Sequence, residues 1–263
     1  MTSAPAIARP RDLVAAEWIK LRSLRSTYFM LLAAVVTALA IGMLVCNVDA
    51  SQATDSGPAH HVHMDPLADS LVGFALAQLV FAALGVLAMT GEYSSGLIRT
   101  TLAAVPARRA ILAAKATVVG LVALTVGLGT ALAVFLAGQC ILSPQHLGIS
   151  LGHPGAARAV IAAGLFLSAV ALTGLALGVL IRSAAGALAV LVAVLFVIPE
   201  FLNGTSQWII DIADVLPANA IRRLVSLQAL PHAPSMTESV IVIIAYPVVA
   251  LAAAAVVLRR RDA

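Results

Sequence analysis

Only two lysines occur in the sequence, Lys20 and Lys115, and neither follows a glycine. A nucleotide-binding P-loop needs glycine-lysine-serine/threonine, so that backbone amides cradle phosphate while the lysine reaches the terminal phosphates. The chain has no such run, and none of the other common hydrolytic patterns, H-E-x-x-H or G-x-S-x-G. No catalytic constellation stands out, and the chain is not expected to be an enzyme. His60, His61 and His63 lie close together with Asp65. Imidazole is a common metal ligand, but H-H-x-H in a polar stretch also reads as a plain loop. No metal is assigned, and these three stay as weak candidates. Glu200, beside Pro199, is either a functional carboxylate within hydrocarbon or one solvated at an interface. Gln78, in the middle of an apolar run, either hydrogen-bonds to a neighbouring helix or lines a path.

The elements that would carry these residues are apolar almost throughout. The chain has 263 residues, 61% of them hydrophobic and 11% charged. A soluble domain has about 45–50% apolar and about 25% charged residues. With a mean hydropathy of +1.03, the composition points to a polytopic all-α membrane protein. The net charge of +4 is explained by where the charges lie, and nucleic acid is not expected as a partner. Two cysteines, Cys46 and Cys140, make no disulfide framework. They either pair near the outer helix ends or, as expected, stay free in the core.

Six apolar runs fit membrane helices at roughly 28–46, 67–89, 116–138, 158–181, 184–202 and 237–258. The first has no A-x-A site after it and reads as a retained span rather than a cleaved leader. Before it, residues 11–27 form an interfacial helix with Leu13, Val14, Trp18, Leu21 and Leu24 on one arc. That face is imperfect, because Glu17 and Arg25 fall on or near it. Glu17 and Lys20 are spaced for an i,i+3 pair. Basic residues with a tryptophan suit a helix lying on an anionic leaflet. Residues 47–66 read as a polar loop. Gly174-x-x-x-Gly178 permits close helix packing. Arg182-Ser183 makes a tight turn between spans four and five, and Pro247 interrupts span six. Between spans five and six, Trp208, Ile209, Ile212, Val215 and Leu216 share an arc, and Ile221, Leu224 and Val225 form a second one after Pro217. These are short amphipathic helices at the outer surface. The chain divides into a tail and interfacial helix (1–27), one six-helix transmembrane domain (28–258) and a basic terminus (259–263).

Six spans put both termini on one side. With the termini inside, the inner segments carry thirteen basic against four acidic residues, and the outer ones three against eight. This positive-inside asymmetry orients both termini and residues 90–115 to the cytoplasm.

Residues 90–115 hold Glu92, Arg99, Arg108, Arg109 and Lys115 between two apolar runs. As a helix of about three turns, Tyr93, Leu97, Ile98, Thr101 and Leu102 take one arc, and Ser95, Gly96, Arg99 and Thr100 the other. Pro106 ends it, and a second helix starts at Ala107 and runs through Lys115 into the next apolar run. The stretch is either a solvated loop or a docking element. Glu92 either caps the short helix, where negative charge is favourable, or takes part in docking.

The pattern Glu92-Tyr93-x-x-Gly96, Arg99, Leu102, Pro106-x-Arg108-Arg109 and Lys115 resembles the first cytoplasmic loop of ABC-2 type transporter permeases. Residues 11–27 are similar to the elbow helix of that family. The resemblance implies a permease subunit of an ATP-driven exporter in a bacterial cytoplasmic membrane. It further implies a soluble ABC ATPase partner, which would bind ATP and magnesium while this chain holds no cofactor, and a second permease copy or homologue in a dimer, with membrane lipids around it. The coupling helix between spans two and three would be built from Glu92, Tyr93, Leu97, Ile98, Arg99, Leu102, Arg108 and Arg109. Tyr93, Leu97, Ile98 and Leu102 would supply apolar contacts, and the arginines a polar rim or lipid anchors. Two readings of another class stay open, a non-transporting structural or assembly protein and an integral-membrane enzyme. A neighbouring P-loop ATPase gene would separate the first from the permease, and lipid hydrolysis by the chain alone would identify the second.

Overall fold

The computed structural model describes residues 9–56, 65–97, 100–101, 107–202, 207–228 and 234–260, the side chains of 54–56 and 207–209 excepted. Among these residues every regular element is a helix. Six helical stretches are long and apolar enough to cross a membrane. The short helix α1 (Pro10–Ser23) is followed by α2 (Arg25–Ser56), and the elbow between them is one extended residue, Leu24. The second span is α3 (Pro66–Leu71) and α4 (Phe74–Ser94). The third is α5 (Arg108–Leu142), and the fourth is α6 (Ala156–Ile181). The fifth runs from α7 (Ala184–Val192) through a π-helical turn, Ala193–Val197, into α8 (Ile198–Phe201). Short helices α9 (Gln207–Asp214) and α10 (Pro217–Val225) precede the last span, α11 (Met236–Arg260).

Several expected boundaries shift, each for a local reason. The polar residues after Cys46 do not form a loop at once, because α2 continues to Ser56; hydropathy marks where lipid ends, not where a helix ends. The helix expected from Ala107 and the third span are one helix, capped at Ala107 and running from Arg108, so Lys115 lies two turns inside it. Pro247 does not interrupt α11, which is continuous from Met236 to Arg260. Instead the irregularity falls in the fifth span. Pro199 has no N–H to return to Leu195 and its ring crowds that carbonyl, so the turn before it widens. Cys46 is buried and Cys140 exposed, both as free thiols, so only the first is a core cysteine.

Helix α6 is the axis of the bundle. Of its most apolar 18-residue window 67% is buried, against 22% for α2 and 17% for α11. It packs on α4, α5 and α11. The α4–α6 contact is close because side chains are absent there. A Cβ on Gly174 would stand 2.7 Å from the Ala82 carbonyl oxygen, and one on Gly85 would overlap that of Ala171. Towards the other end of the same pair stand the buried side chains of Phe74 and Phe166. The end of the bundle carrying α1 is called the elbow end below, and the opposite one, with α3, α8 and α10, the far end.

Candidate functional site

The interfacial helix is fixed by charge. Along α1 the partly or fully buried positions are Leu13, Val14, Glu17, Lys20 and Leu21, a stripe at helical spacing. Trp18, expected on the apolar face, is exposed, and Glu17, the residue that spoiled that face, is the one fully buried side chain of the helix. Its stripe faces α5, where Lys115 is only 4% exposed. The Lys115 ammonium donates to Glu17 Oε2 at 2.5 Å and to Glu92 Oε1 at 2.9 Å. Lys20 donates to Glu17 Oε1 at 2.7 Å and to the same Glu92 Oε1 at 2.9 Å. Two carboxylates and two ammonium groups from α1, α4 and α5 thus close a neutral ring. Removing two such charges from water is unfavourable unless each finds an opposite charge and good hydrogen bonds, which this ring supplies. Burial lowers the affinity of Lys20 for its proton, but the hydrogen bonds and charges of Glu17 and Glu92 outweigh it, and its pKa is raised above 10.5. Glu92 Oε2, also buried, makes no hydrogen bond among the described residues. A cavity of about 370 Å³ borders the ring, lined in part by Leu24, Leu87 and Leu97.

The ring clamps one particular place. Glu92 stands three residues before the end of α4, and Lys115 eight residues into α5. The segment between them is the basic stretch that the sequence marks out. The chain leaves α4 at Ser95 and turns at Gly96, whose φ of +72° is a left-handed conformation that favours glycine. Helical residues resume at Leu97 and include Thr100 and Thr101. Tyr93 and Ser95 therefore belong to the end of the span and its cap rather than to a surface helix beginning at Glu92.

Of the expected coupling residues, Glu92 is buried in the ring and does not cap a helix start. Tyr93 is half-buried among Met89, Leu112 and Leu258, with the Arg182 guanidinium 5.1 Å from its ring centroid. Arg182 itself takes a left-handed φ of 58° at the end of α6, so the cation–π contact joins the ends of α4 and α6. Leu97 is 52% exposed. Ile98, Arg99 and Leu102 lie outside the described residues. Arg108 is half-buried and donates to the Leu258 carbonyl at 3.1 Å, where it satisfies the C-terminal end of α11. Arg109 is exposed. The structure thus brings Glu92 together with Glu17, Lys20 and Lys115, and turns Arg108 towards its own bundle. The signals for the ring were Glu17 on an apolar arc and its i,i+3 spacing to Lys20, a pair the structure forms; the links from Glu17 to Lys115 and from Lys20 to Glu92, 98 and 72 positions apart in sequence, had none.

The ring holds no nucleophile beside a base and no open set of ligands. Among the described residues no group of three or more His, Cys, Asp or Glu side chains is placed to hold a metal. His60, His61 and His63 lie outside them. Asp65, grouped with those histidines by sequence, spends both oxygens elsewhere. Oδ1 accepts from the Leu67 and Ala68 amides, and Oδ2 from the Ser226 hydroxyl at 2.6 Å and the Leu227 amide at 2.8 Å. What the elbow-end arrangement can do is mechanical: it makes α1, the end of α4 and the start of α5 move together.

Compared with known families, residues 13–200 match the family model described as ABC-2 family transporter protein. This covers more than half of the chain and includes all four residues of the ring. No curated protein matches the chain.

Proposed function

Because the chain belongs to the ABC-2 transporter family, we propose that it is the permease subunit of an ATP-driven exporter and that force enters it through the segment clamped by Glu17, Lys20, Glu92 and Lys115. Members of this family are membrane components of transporters that generally work with ATPase subunits. The ring is the observation that carries the reading. A loop that must pass motion to transmembrane helices needs both of its roots tied to a rigid body, since coupling travels only through contiguous packed or hydrogen-bonded groups. Here the roots are tied to each other by Lys115–Glu92 and to the elbow helix by Lys115–Glu17 and Lys20–Glu92. In this reading exposed Leu97, just past the Gly96 turn, would make apolar contact with a soluble subunit together with Ile98 and Leu102, and Arg99 and Arg109 would supply the polar rim.

In this reading a separate ATPase binds ATP and magnesium, and its closure displaces the loop, α4, α5 and α1 as a unit. Substrate then crosses by alternating access between this chain and a second permease copy or homologue. The charge asymmetry of the sequence supports a bacterial cytoplasmic membrane with both termini and the ring on the cytoplasmic side.

The test is purification of the tagged chain from its native membrane in mild detergent, with the proteins that stay bound identified by mass spectrometry. A stoichiometric soluble P-loop ATPase is expected. Leu97→Asp with Leu102→Asp should lose it while inserting and folding normally. A preparation that holds no P-loop subunit even after gentle crosslinking, or a double variant that retains both ATPase and transport, overturns the reading.

A further inference from the structure

At the far end, a cleft of about 440 Å³ is lined by residues of α3, α4, α6, the π turn, α8 and α10. Phe74, Phe166 and Leu195 of the π turn form its walls, and α10 closes one side. At depth, Gln78 reaches it from the face of α4 that also carries Gly85. Gln78 is only 8% exposed and makes no hydrogen bond to any described residue. A primary amide offers two donors and one acceptor oxygen, and those of Gln78 are not among the side-chain atoms sealed off without a partner but line the cleft. The other polar side chains of the lining, among them Asp65, Ser226 and the Glu200–Arg222 pair at 3.9 Å, belong to the far-end mouth. Gln78 lies twelve residues along the span from Pro66, about 18 Å at a helical rise of about 1.5 Å per residue. A water beside it would find one polar side chain where a buried water needs about three partners.

We propose that this cleft is a binding site within a single chain for a drug-sized apolar molecule carrying one neutral hydrogen-bonding group, such as a carbonyl, hydroxyl or amide. The Gln78 amide meets that group, the aromatic and aliphatic walls hold its body, and the mixed-charge mouth faces water. The volume lies in the range of sites that enclose small ligands, and an apolar pocket with a few convergent polar groups is the usual form of such a site. The inference goes beyond the permease reading and does not depend on a nucleotide-driven partner.

Nile red, a neutral apolar dye with a carbonyl acceptor, is the probe. It is titrated into the full chain in phosphatidylcholine nanodiscs, with empty nanodiscs subtracted, and its emission reports binding. One saturable component is expected. Gln78→Leu keeps the size of the side chain and removes the amide, and should weaken binding about tenfold, as expected for one desolvated hydrogen bond. Ala75→Phe, at an exposed wall position, fills the cleft and should abolish the saturable component. Size-exclusion profiles and thermal unfolding check that each variant is folded, and if Gln78→Leu fails that check, Ala75→Phe decides alone. Signal equal to empty nanodiscs, or unchanged affinity in the folded variants, overturns the proposal. A missing ATPase partner would not change this result, so the two readings fail separately.

Discussion

The two ends of the bundle each bury a carboxylate, and they neutralise it in opposite ways. At the elbow end, Glu17 and Glu92 are met by the ammonium groups of Lys20 and Lys115. At the far end, Asp65 has no cationic hydrogen-bond partner among the described residues. Its carboxylate accepts from the amides of Leu67, Ala68, Leu227 and Gln228 and from the Ser226 hydroxyl. The first solution joins three helices through side chains alone, and each charge depends on another from a distant part of the sequence. The second uses backbone that is already shaped by the helix start at α3 and the turn after α10. Charges that pair side chain to side chain form a joint that can be exchanged or moved as a unit. Charges held by amides form a fixed staple. The joint lies where motion is proposed to enter, and the staple where the cleft has its mouth.

Lys115→Met is the substitution expected to separate the two solutions most. It leaves two buried carboxylates sharing one half-exposed lysine, and breaking a buried pair in this way destabilises by about 3–5 kcal/mol. Adding Glu17→Gln and Glu92→Gln should recover most of the loss, since neutral polar replacements need no counter-charge. Thermal unfolding in nanodiscs of the single and triple variants measures both. A tolerated single variant, or a triple variant no better than the single one, would mean that the ring is not the joint described.

Asp65→Ala should rank second. It removes the N-cap of α3, itself worth about 1 kcal/mol, together with the three bonds to the turn at Ser226–Gln228. Bonds to a charged acceptor are worth about 1.5–3 kcal/mol each before relaxation, so a net loss of about 2–4 kcal/mol is expected. The contrast with the elbow end lies in rescue. No second neutralising substitution should recover it, because the orphaned partners are backbone amides. Limited proteolysis after Arg222 and Arg223 measures release of the turn, and unchanged cleavage would show that α10 is held by other contacts, such as the Arg158 bonds to the Leu224 and Ser226 carbonyls.

The six spans were legible because each is a long apolar run, and hydropathy needs no partner to be read. The staple was half legible. Asp65 followed by Pro66 is an N-cap before a proline at the first helical position, yet the nearby histidines drew the residue into a candidate metal set. The ring was legible in one of its sides, the i,i+3 pair of Glu17 and Lys20, and as an anomaly, Glu17 on an apolar arc. Lys115 was legible as a residue of the helix that starts at Ala107 and runs into the third span, but nothing local marked it as buried, because its burial comes from α1 packing on that helix. Gln78 stood out as a polar residue in an apolar run. Which of its two readings holds depends on what lies opposite it, and the cleft it lines is built from side chains of several distant elements.

The smallest expected effect concerns the exposed corner of the joint. Lys20 bonds both glutamates, but its side chain is 40% exposed, so solvent screening keeps its contribution to about 1 kcal/mol or less. Lys20→Met should therefore be mild where Lys115→Met is severe, although both remove one charge from the same ring. The pH dependence sharpens the difference. The pKa of Lys20 is raised above its ordinary 10.5 by Glu17 and Glu92 against the opposing effect of burial. A raised pKa means that the folded state holds the proton more tightly than the unfolded one. The stabilisation is then fully present below pH 10.5 and is lost as pH rises through the folded value. The stability gap between the native chain and Lys20→Met should stay constant from neutral pH to about 10 and close above that. Taking the difference cancels groups common to both proteins, including the tyrosines that ionise in the same range. A gap that opens with rising pH would mean that Lys20 is held neutral in the fold, and the ring would then carry a net negative charge.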